Sequence, residues 1–302
     1  MATSDTSITT RITVIGDALI DELRDPAGSR EFVGGAALNV AVGLVLLGHD
    51  VTLIAMVGDD EPGARIRSYL VDHGVRLVES PSPFGTSRAI SDRRDGEPQY
   101  EFNHAAQRRG IRFDSATRAA IADADLVVIS CFPFDDAEQY AALRDAIARP
   151  GERLIVDGNP RAGMLHDRAA FLERFEELGG QALLVKVGDE DAQLLLGDSL
   201  EAFVERLRSD GGAPAILATA GRDGSAVHHG RLRVHADIVD LPGRVVDTMG
   251  AGDATLSATV DHIARHGMPA SKAEWAGALR SAMTIAAATV RQEGALLRVP
   301  SA

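Results

Sequence analysis

Cysteine is nearly absent: Cys131 is the single one in 302 residues. No intrachain disulfide can form, and a reducing compartment is the simplest fit. A catalytic thiol is disfavoured as well, since no His or Asn is tied by pattern to Cys131-Phe132-Pro133, a segment that follows a strand end and can line a site. Long apolar runs are missing too. The longest, Ala36 to Gly48, is interrupted by Asn39 and is too short to span a bilayer. Met1 to Thr10 is polar and Ser/Thr-rich, without the apolar core of a secretory signal, and reads as a short disordered lead-in. These absences predict a soluble, cytoplasmic protein. Positive charge is outnumbered, 31 basic against 44 acidic residues, for a formal charge of -13. Such a surface repels nucleic acid and anionic membrane, and a phosphate-bearing substrate needs a local positive site or a metal ion to approach it. Nine histidines raise the question of zinc, but His228, His229 and His235 lack a Cys partner or helical spacing, which argues against it.

What is present is ample core material, 45% hydrophobic residues against 25% charged. Arg11 to Ile15, Val51 to Val57, Leu126 to Ser130, Leu154 to Asp157, Leu183 to Val187 and Ala215 to Thr219 read as short, continuously apolar strands. Helical patterns separate them at Ala37 to Leu47, Arg65 to His73, Ala137 to Ala148, Arg168 to Leu178 and Leu200 to Asp210, and another follows at Ala273 to Val290. The alternation predicts an α/β fold, a doubly wound, mostly parallel sheet with helices on both faces. Ile20 to Val33 and Ser87 to Asn103 break the rhythm with charged, short-alternation sequence and turn signals at Pro26-Ala27-Gly28 and Asp95-Gly96. They predict small antiparallel strands, inserted at about 20–33 and 87–103, that either cover a site at the strand ends or are plain surface hairpins. With no repeat, low-complexity tract or linker, one unit over 1–302 with a lid is expected.

The most informative stretch is Val246 to Asp253. A strand-like run, Arg244 to Val246, feeds a tight turn, Gly250-Ala251-Gly252, that opens a helix whose first N–H groups have no intrahelical partner. Those donors suit a phosphate or a developing phosphoryl charge, and Asp253 in the first helical turn would hold a carboxylate beside it. A base next to an anion cradle is what phosphoryl transfer from ATP to an alcohol requires. The plainer reading is a strand-to-helix turn with Asp as a helix-start residue. In Gly34-Gly35-Ala36-Ala37-Leu38-Asn39, two glycines permit close approach of a ligand, and the amide of Asn39 on an apolar helix must find partners, which sugar hydroxyls would supply. Asp21, after the first strand, can accept hydroxyl protons in the same way. Capping roles for Asn39 and Asp21 remain the alternative.

These two segments, with Val57-Gly58-Asp59-Asp60 and Gly63 between them, resemble the ribokinase-like carbohydrate kinases, the PfkB family, over about Ile12 to Pro300. The resemblance implies Asp253 as catalytic base, with Gly250, Ala251 and Gly252 as the anion hole. It implies Asp21, Gly34, Gly35 and Asn39 at the sugar hydroxyls. Thr219, Gly221 and Gly224 would lie along ATP with Lys186 close by, and Ala287 in Ala286-Ala287-Ala288-Thr289 would form part of a small-residue wall against adenine. Asp247 and nearby carbonyls resemble a monovalent-cation site suited to potassium. Where the family has an Asn, two residues and a Glu that organise magnesium, this chain has Gly188 and Asp191, a shorter carboxylate able to act through metal-bound water. Asp157-Gly158-Asn159-Pro160-Arg161 resembles a segment of fructokinase-like and ketodeoxygluconate-kinase-like members, which makes Arg161 a candidate cation at the transferring phosphate, or else half of a structural salt bridge.

The resulting expectation is an ATP-dependent sugar kinase acting on a small carbohydrate such as fructose, ribose or 2-keto-3-deoxygluconate. Asn103, about where acid-specific relatives place Arg, tilts the choice to a neutral sugar. Two other readings remain. One is a nucleoside kinase, for which Phe32, Phe102 and Phe132 could stack on a base, although aromatics are only 4% of the chain. The other is a catalytically weak sugar-binding sensor, suggested by Gly188. Exposed lid edges predict a homodimer.

Overall fold

The computed structural model describes residues 9–26, 28–92, 99–147, 153–209 and 215–300. The first eight residues of the polar lead-in, the turn residues Ala27, Asp95 and Gly96, and the expected helix ends Ala148 and Asp210 lie outside them. Along the chain the elements are β1 (Arg11–Gly16), β2 (Leu19–Asp25), β3 (Gly28–Gly34), α1 (Ala36–Leu46), β4 (Asp50–Gly58), α2 (Glu61–Asp72), β5 (Arg76–Ser82), β6 (Arg88–Asp92), β7 (Gln99–Phe102), α3 (His104–Gln107), α4 (Ser115–Asp123) and β8 (Leu126–Ser130). There follow α5 (Ala137–Ala146), β9 (Leu154–Asp157), α6 (Arg168–Gly179), β10 (Leu184–Gly188), α7 (Asp189–Leu196), α8 (Leu200–Ser209), β11 (Ala215–Thr219), β12 (Ser225–His229), β13 (Leu232–Ala236), α9 (Ala251–His266) and α10 (Lys272–Thr289).

Nine strands form one sheet in the order β13-β12-β11-β10-β9-β8-β1-β4-β5. All pairings from β11 to β5 are parallel, and β12 and β13 add an antiparallel edge. The expected α/β architecture is therefore the one observed. Side-chain alternation splits the core in two. Ile12 and Val14 of β1 pack with Leu38, Leu256 and Trp275 on the face covered by α1, α9 and α10. Ile15 packs with Tyr140, Phe171 and Phe175 on the opposite face, under α5 and α6. Between the sheet and α9, α1 is buried nearly all round, which is why it lacks a polar face. A Cβ at Gly43 would come within 2.8 Å of Ser257 Oγ, so a small residue lets the two helices meet.

The chain leaves β1 toward β4 on one side and later returns to pair β8 on the other. Ligands of open α/β sheets bind in the crevice beyond such a switch point. At this point a Cβ on Gly16 would fall 1.8 Å from the Ser130 carbonyl oxygen, so only glycine permits the strands to close there.

A second, four-stranded sheet, β3-β2-β6-β7, stands over this end. Its β2–β3 and β6–β7 pairings are antiparallel as expected, while the central pairing of β2 with β6 is parallel. The Val57 to Gly63 segment anchors it. Asp60 caps α2 by accepting from Gly63 N at 2.9 Å, and its other oxygen accepts from Thr86 N at 2.8 Å. Ser87 O then accepts from Ile20 N at 3.0 Å, which joins the two crossings of the small sheet.

One element expected from sequence is absent: Arg244 to Val246 is irregular, held by Val246 and Asp247 donating to the Val290 carbonyl, and does not form a strand. Pro242 and Gly243 precede it, and Val245 and Val246 are exposed, so no neighbouring strand is available to extend the sheet. Among the described residues no helix is long and apolar enough to cross a membrane.

Candidate active site

The Gly250 turn is built as a close approach of backbones. Gly250 has φ 75° and caps α9, and a Cβ there would lie 2.4 Å from the Ala295 carbonyl oxygen. Gly252 and Asp253 occupy the second and third helical positions, where N–H groups have no intrahelical acceptor. Ala251 N already reaches Thr248 O, at a long 3.3 Å. Asp253 is buried, and Asn39 Nδ2 of α1 donates to its Oδ2 at 2.9 Å. The donor of Asn39, expected to meet sugar hydroxyls, is thus engaged by Asp253. Burial pushes the Asp253 carboxyl up to about 6, with Asn39 and the nearby charge of Lys186 opposing the rise and Asp157 adding to it.

Lys186, on β10, is the cation beneath this turn. Its Nζ lies 3.0 Å from Asp157 Oδ1 at the end of β9, and Ser130 Oγ donates to the other Asp157 oxygen at 3.2 Å. All three side chains are buried. A Cβ on Gly252 would sit 3.7 Å from Lys186 Nζ, which puts the ammonium directly against the Gly250 turn. Burial works against its charge, but Asp157, Asp191 and Asp253 outweigh that and leave its pKa raised. Asp191 does not point outward from α7. Its Oδ2 accepts from Gly188 N at 2.7 Å, and burial raises its carboxyl to about 6 while Lys186 lowers it.

The small sheet supplies the opposite wall. Registered pairs place Phe32, Asp21, Ala89 and Phe102 side by side across β3, β2, β6 and β7, hence on one face. A Cβ on Gly34 would fall 2.1 Å from Asp21 Oδ2, so the first glycine of the Gly34-Gly35 pair makes room for this carboxylate. Burial, with the like charge of Asp17, pushes Asp21 up to about 7. Gly35, at φ 109°, starts α1, whose Ala37 N donates to Asp17 Oδ1 at 3.0 Å. Arg161 follows Asn159, a residue held at φ 41°, and faces the same space. It is 42% exposed, 3.6 Å from Glu190, and its charge is felt by Asp17, Asp21 and Asp253.

Of the residues expected along a nucleotide, Thr219 is the one seen beside the Lys186 strand. Thr219 ends β11 beside Gly188, and a Cβ on Gly188 would stand 3.4 Å from both Thr219 Oγ1 and Asp191 Oδ2. Gly221 and Gly224 take φ values of 49° and 83° in the following turn. Ala287 is buried on α10, its carbonyl accepting from Arg291 at 2.7 Å. Asp247 accepts from Met249 N at 3.1 Å and Gly294 N at 3.3 Å, pinning its carboxylate between the turn and the C-terminal loop.

One expectation shifts, and two other side chains take structural roles. Phe132 is fully buried in an aromatic cluster, 5.4 Å from Phe134 between ring centres, and cannot stack on a ligand. Asn103 caps α3 and ties Arg88 N and Thr86 O, so its amide is spent on the small sheet rather than on an acceptor. His229 accepts from Trp275 Nε1 at 3.2 Å, and among the described residues no three His, Cys, Asp or Glu side chains gather as a metal site. Sequence reasoning did not pair Lys186 with Asp157 or Asn39 with Asp253. The second bond joins residues 214 apart, beyond any local pattern.

Comparison with known proteins gives the family. The profile of pfkB family carbohydrate kinases matches residues 7–302. A fructokinase of Klebsiella pneumoniae is 27% identical over 301 residues, covering 96% of each chain. Among solved structures, a fructokinase double mutant of Vibrio cholerae O395, crystallised with fructose, ADP and potassium ion, superposes with a TM-score of 0.80 at 21% identity, covering 95% of this chain and 94% of that one. An aminoimidazole riboside kinase of Salmonella enterica, complexed with aminoimidazole riboside and an ATP analogue, gives 0.73 at 23% identity and 95% of each chain. With Asp253, the buried Lys186 and an open helix start close together, and with the family profile spanning nearly its whole length, this chain belongs to the pfkB family of carbohydrate kinases and is a phosphotransferase.

Proposed function

We propose that the enzyme transfers the terminal phosphoryl of ATP to a hydroxyl of a neutral sugar, with fructose the leading candidate. The observation that carries this is the meeting of three groups: Asp253 with a carboxyl near 6, Lys186 against Gly252, and Asp21 on the facing wall. At pH 7 Asp253 is mostly ionised yet basic enough to take a hydroxyl proton. The Gly252 and Asp253 N–H groups and the Lys186 ammonium meet the phosphoryl as its charge moves toward them. MgATP is the second substrate, and Asp191 would reach its ion through water. A potassium ion beside Asp247 fits a carboxylate held in place by two N–H groups with lone pairs to spare. The fructokinase neighbours support the choice of sugar.

Charge favours a neutral acceptor. Arg88 of the small sheet is paired with Glu22 and Glu31, Arg65 with Glu31, and Arg30 with Asp25 and Glu293. An acceptor carrying phosphate or carboxylate would meet Asp17, Asp21 and Asp253, with Arg161 as the facing cation. Coupled ADP-release assays over fructose, ribose, 2-keto-3-deoxygluconate, fructose 6-phosphate and adenosine test the reading. A neutral sugar should exceed the anionic acceptors in kcat/KM by at least about 100-fold, the scale set by leaving charge uncompensated in a desolvated site. Phe32 beside Asp21, with Phe102 two strands away on the same face, favours a nucleoside as second reading, and adenosine as best substrate would establish it. Sugar binding by calorimetry without ADP release would instead mark a sensor.

Asp21→Asn separates binding from folding. Asp21 has a folded-state pKa raised to about 7, so the wild type loses stability as pH rises from about 4 through 7, where the folded carboxyl must ionise. Asparagine does not ionise. The variant should therefore match or exceed the wild type by ~1–2 kcal/mol in denaturant melts at pH 8, while its sugar KM rises about tenfold or more for the lost carboxylate–hydroxyl bonds. A destabilised variant with unchanged KM would remove Asp21 from sugar recognition.

A further inference from the structure

Beneath the proposed sugar pocket lies a buried guanidinium that the reaction does not use. Arg109 follows α3 in Gln107-Arg108-Arg109-Gly110 and is 9% exposed. Among the described residues its hydrogen bonds go to three backbone carbonyls. Nε donates to Cys131 O at 3.1 Å, and Nη1 donates to Met164 O at 3.3 Å and, more weakly, to Ala106 O at 3.5 Å. A buried charge held by carbonyls alone is costly to keep. The three segments it joins explain its position.

Cys131 follows the end of β8, at the switch point, and holds φ 54°, a left-handed conformation that side chains rarely adopt. Met164 closes the short turn Ala162–Met164 that begins just after Arg161, and Met164 N in turn donates to Arg161 O at 2.8 Å. Ala106 lies on α3, directly after Phe102 and Asn103 of the small sheet. The same three places pack together through Ala36, Ala106, Cys131 and Met164, with Phe102 against them. A Cβ on Gly163 would strike the Phe102 ring at 2.6 Å, so the turn packs tightly on the wall while Arg109 bonds its last carbonyl. The positive charge of Arg109 also favours the ionised form of Asp17, which caps the start of α1, the helix that carries Asn39.

We infer that Arg109 is a positioning residue for sugar: it fixes the Arg161 turn, the strained Cys131 backbone and the base of the small sheet relative to one another, and so sets the shape of the acceptor pocket. This rests on the sugar-kinase reading above. The planar guanidinium is required because its donors diverge in fixed directions toward separate carbonyls, whereas a lysine offers one ammonium at one point. Arg109 makes no bond to β10 or β11, against which ATP is proposed to lie, so a change confined to the acceptor side should separate the two substrates.

The test is steady-state kinetics with Arg109→Lys, which keeps charge and stem, alongside Gly163→Ala, which displaces the same turn through its contact with Phe102. Phe203→Leu, buried in the core on α8 and outside the small sheet and the Arg161 turn, serves as a control for lost stability. Arg109→Lys and Gly163→Ala should each raise the sugar KM about tenfold or more, as expected for a displacement of well under 1 Å in a reacting geometry, with the KM for ATP within twofold. Phe203→Leu should lower the thermal midpoint without splitting the two constants. Wild type that turns over no sugar would overturn the reading of the site. Active wild type, with Arg109→Lys or Gly163→Ala leaving the sugar KM within twofold or raising both constants together, would overturn the role of Arg109 while that reading stands.

Discussion

Asp253→Asn should lower kcat with sugar and ATP by at least about 100-fold, the range that general-base catalysis supplies, while sugar affinity changes no more than a few-fold. The amide has the carboxylate's shape and can turn its oxygen to Asn39 Nδ2, so the bond at 2.9 Å has a replacement partner. What it cannot do is accept a proton. Stability should move the other way. Asp253 has a folded pKa raised to about 6 by burial, so the wild type loses stability as pH climbs from about 4 through 6, and the variant escapes that loss. Denaturant melts at pH 8 should show the variant equal or more stable by ~1–2 kcal/mol, with the difference vanishing near pH 4. In the wild type, kcat/KM should fall tenfold per pH unit below about 6 as the base is protonated. Turnover near wild type in the variant would assign the proton to another group.

Much of this site is readable from sequence, for a physical reason. The strands of the large sheet are buried on both faces, so each appears as an unbroken apolar run, and Leu126–Ser130, Leu154–Asp157 and Ala215–Thr219 end where expected. β5 was not anticipated. It is the edge strand beyond β4, half solvated, and its sequence Arg-Leu-Val-Glu-Ser-Pro-Ser carries neither a continuous nor a clean alternating pattern. Nor was α4, whose Ser-Ala-Thr-Arg-Ala-Ala-Ile-Ala-Asp buries little beyond Thr117 and Ile121. The Gly250 turn was legible because glycine at positive φ and an open helix start are local properties. The Asn39–Asp253 and Lys186–Asp157 contacts were not, because they arise only when α1 meets α9 and β9 meets β10. Arg109 shows the same limit more sharply: an arginine beside a second arginine and a glycine reads as surface, and three distant carbonyls make it interior.

Lys186→Met should be the most damaging single change to folding and activity together. The side chain is replaced at similar length, but Asp157, fully buried, loses its ion-pair partner and keeps only Ser130. Removing one half of a buried pair costs about 3–5 kcal/mol. Denaturant melts of variant and wild type at one pH measure the loss. Catalysis should fall about 10²- to 10³-fold, the usual loss when a preorganised charge at a transferring group is removed. Since Lys186 also holds the Asp253 pKa down, the acid limb of the pH profile should move above 6. Adding Asp157→Asn separates the two roles. Exchanging both charges for neutral groups leaves nothing uncompensated, so the double variant should regain most of the lost stability. Turnover should stay low, because nothing has returned to the turn at Gly252. A double variant that recovers both would show that Lys186 serves Asp157 alone and that the phosphoryl group draws on other donors.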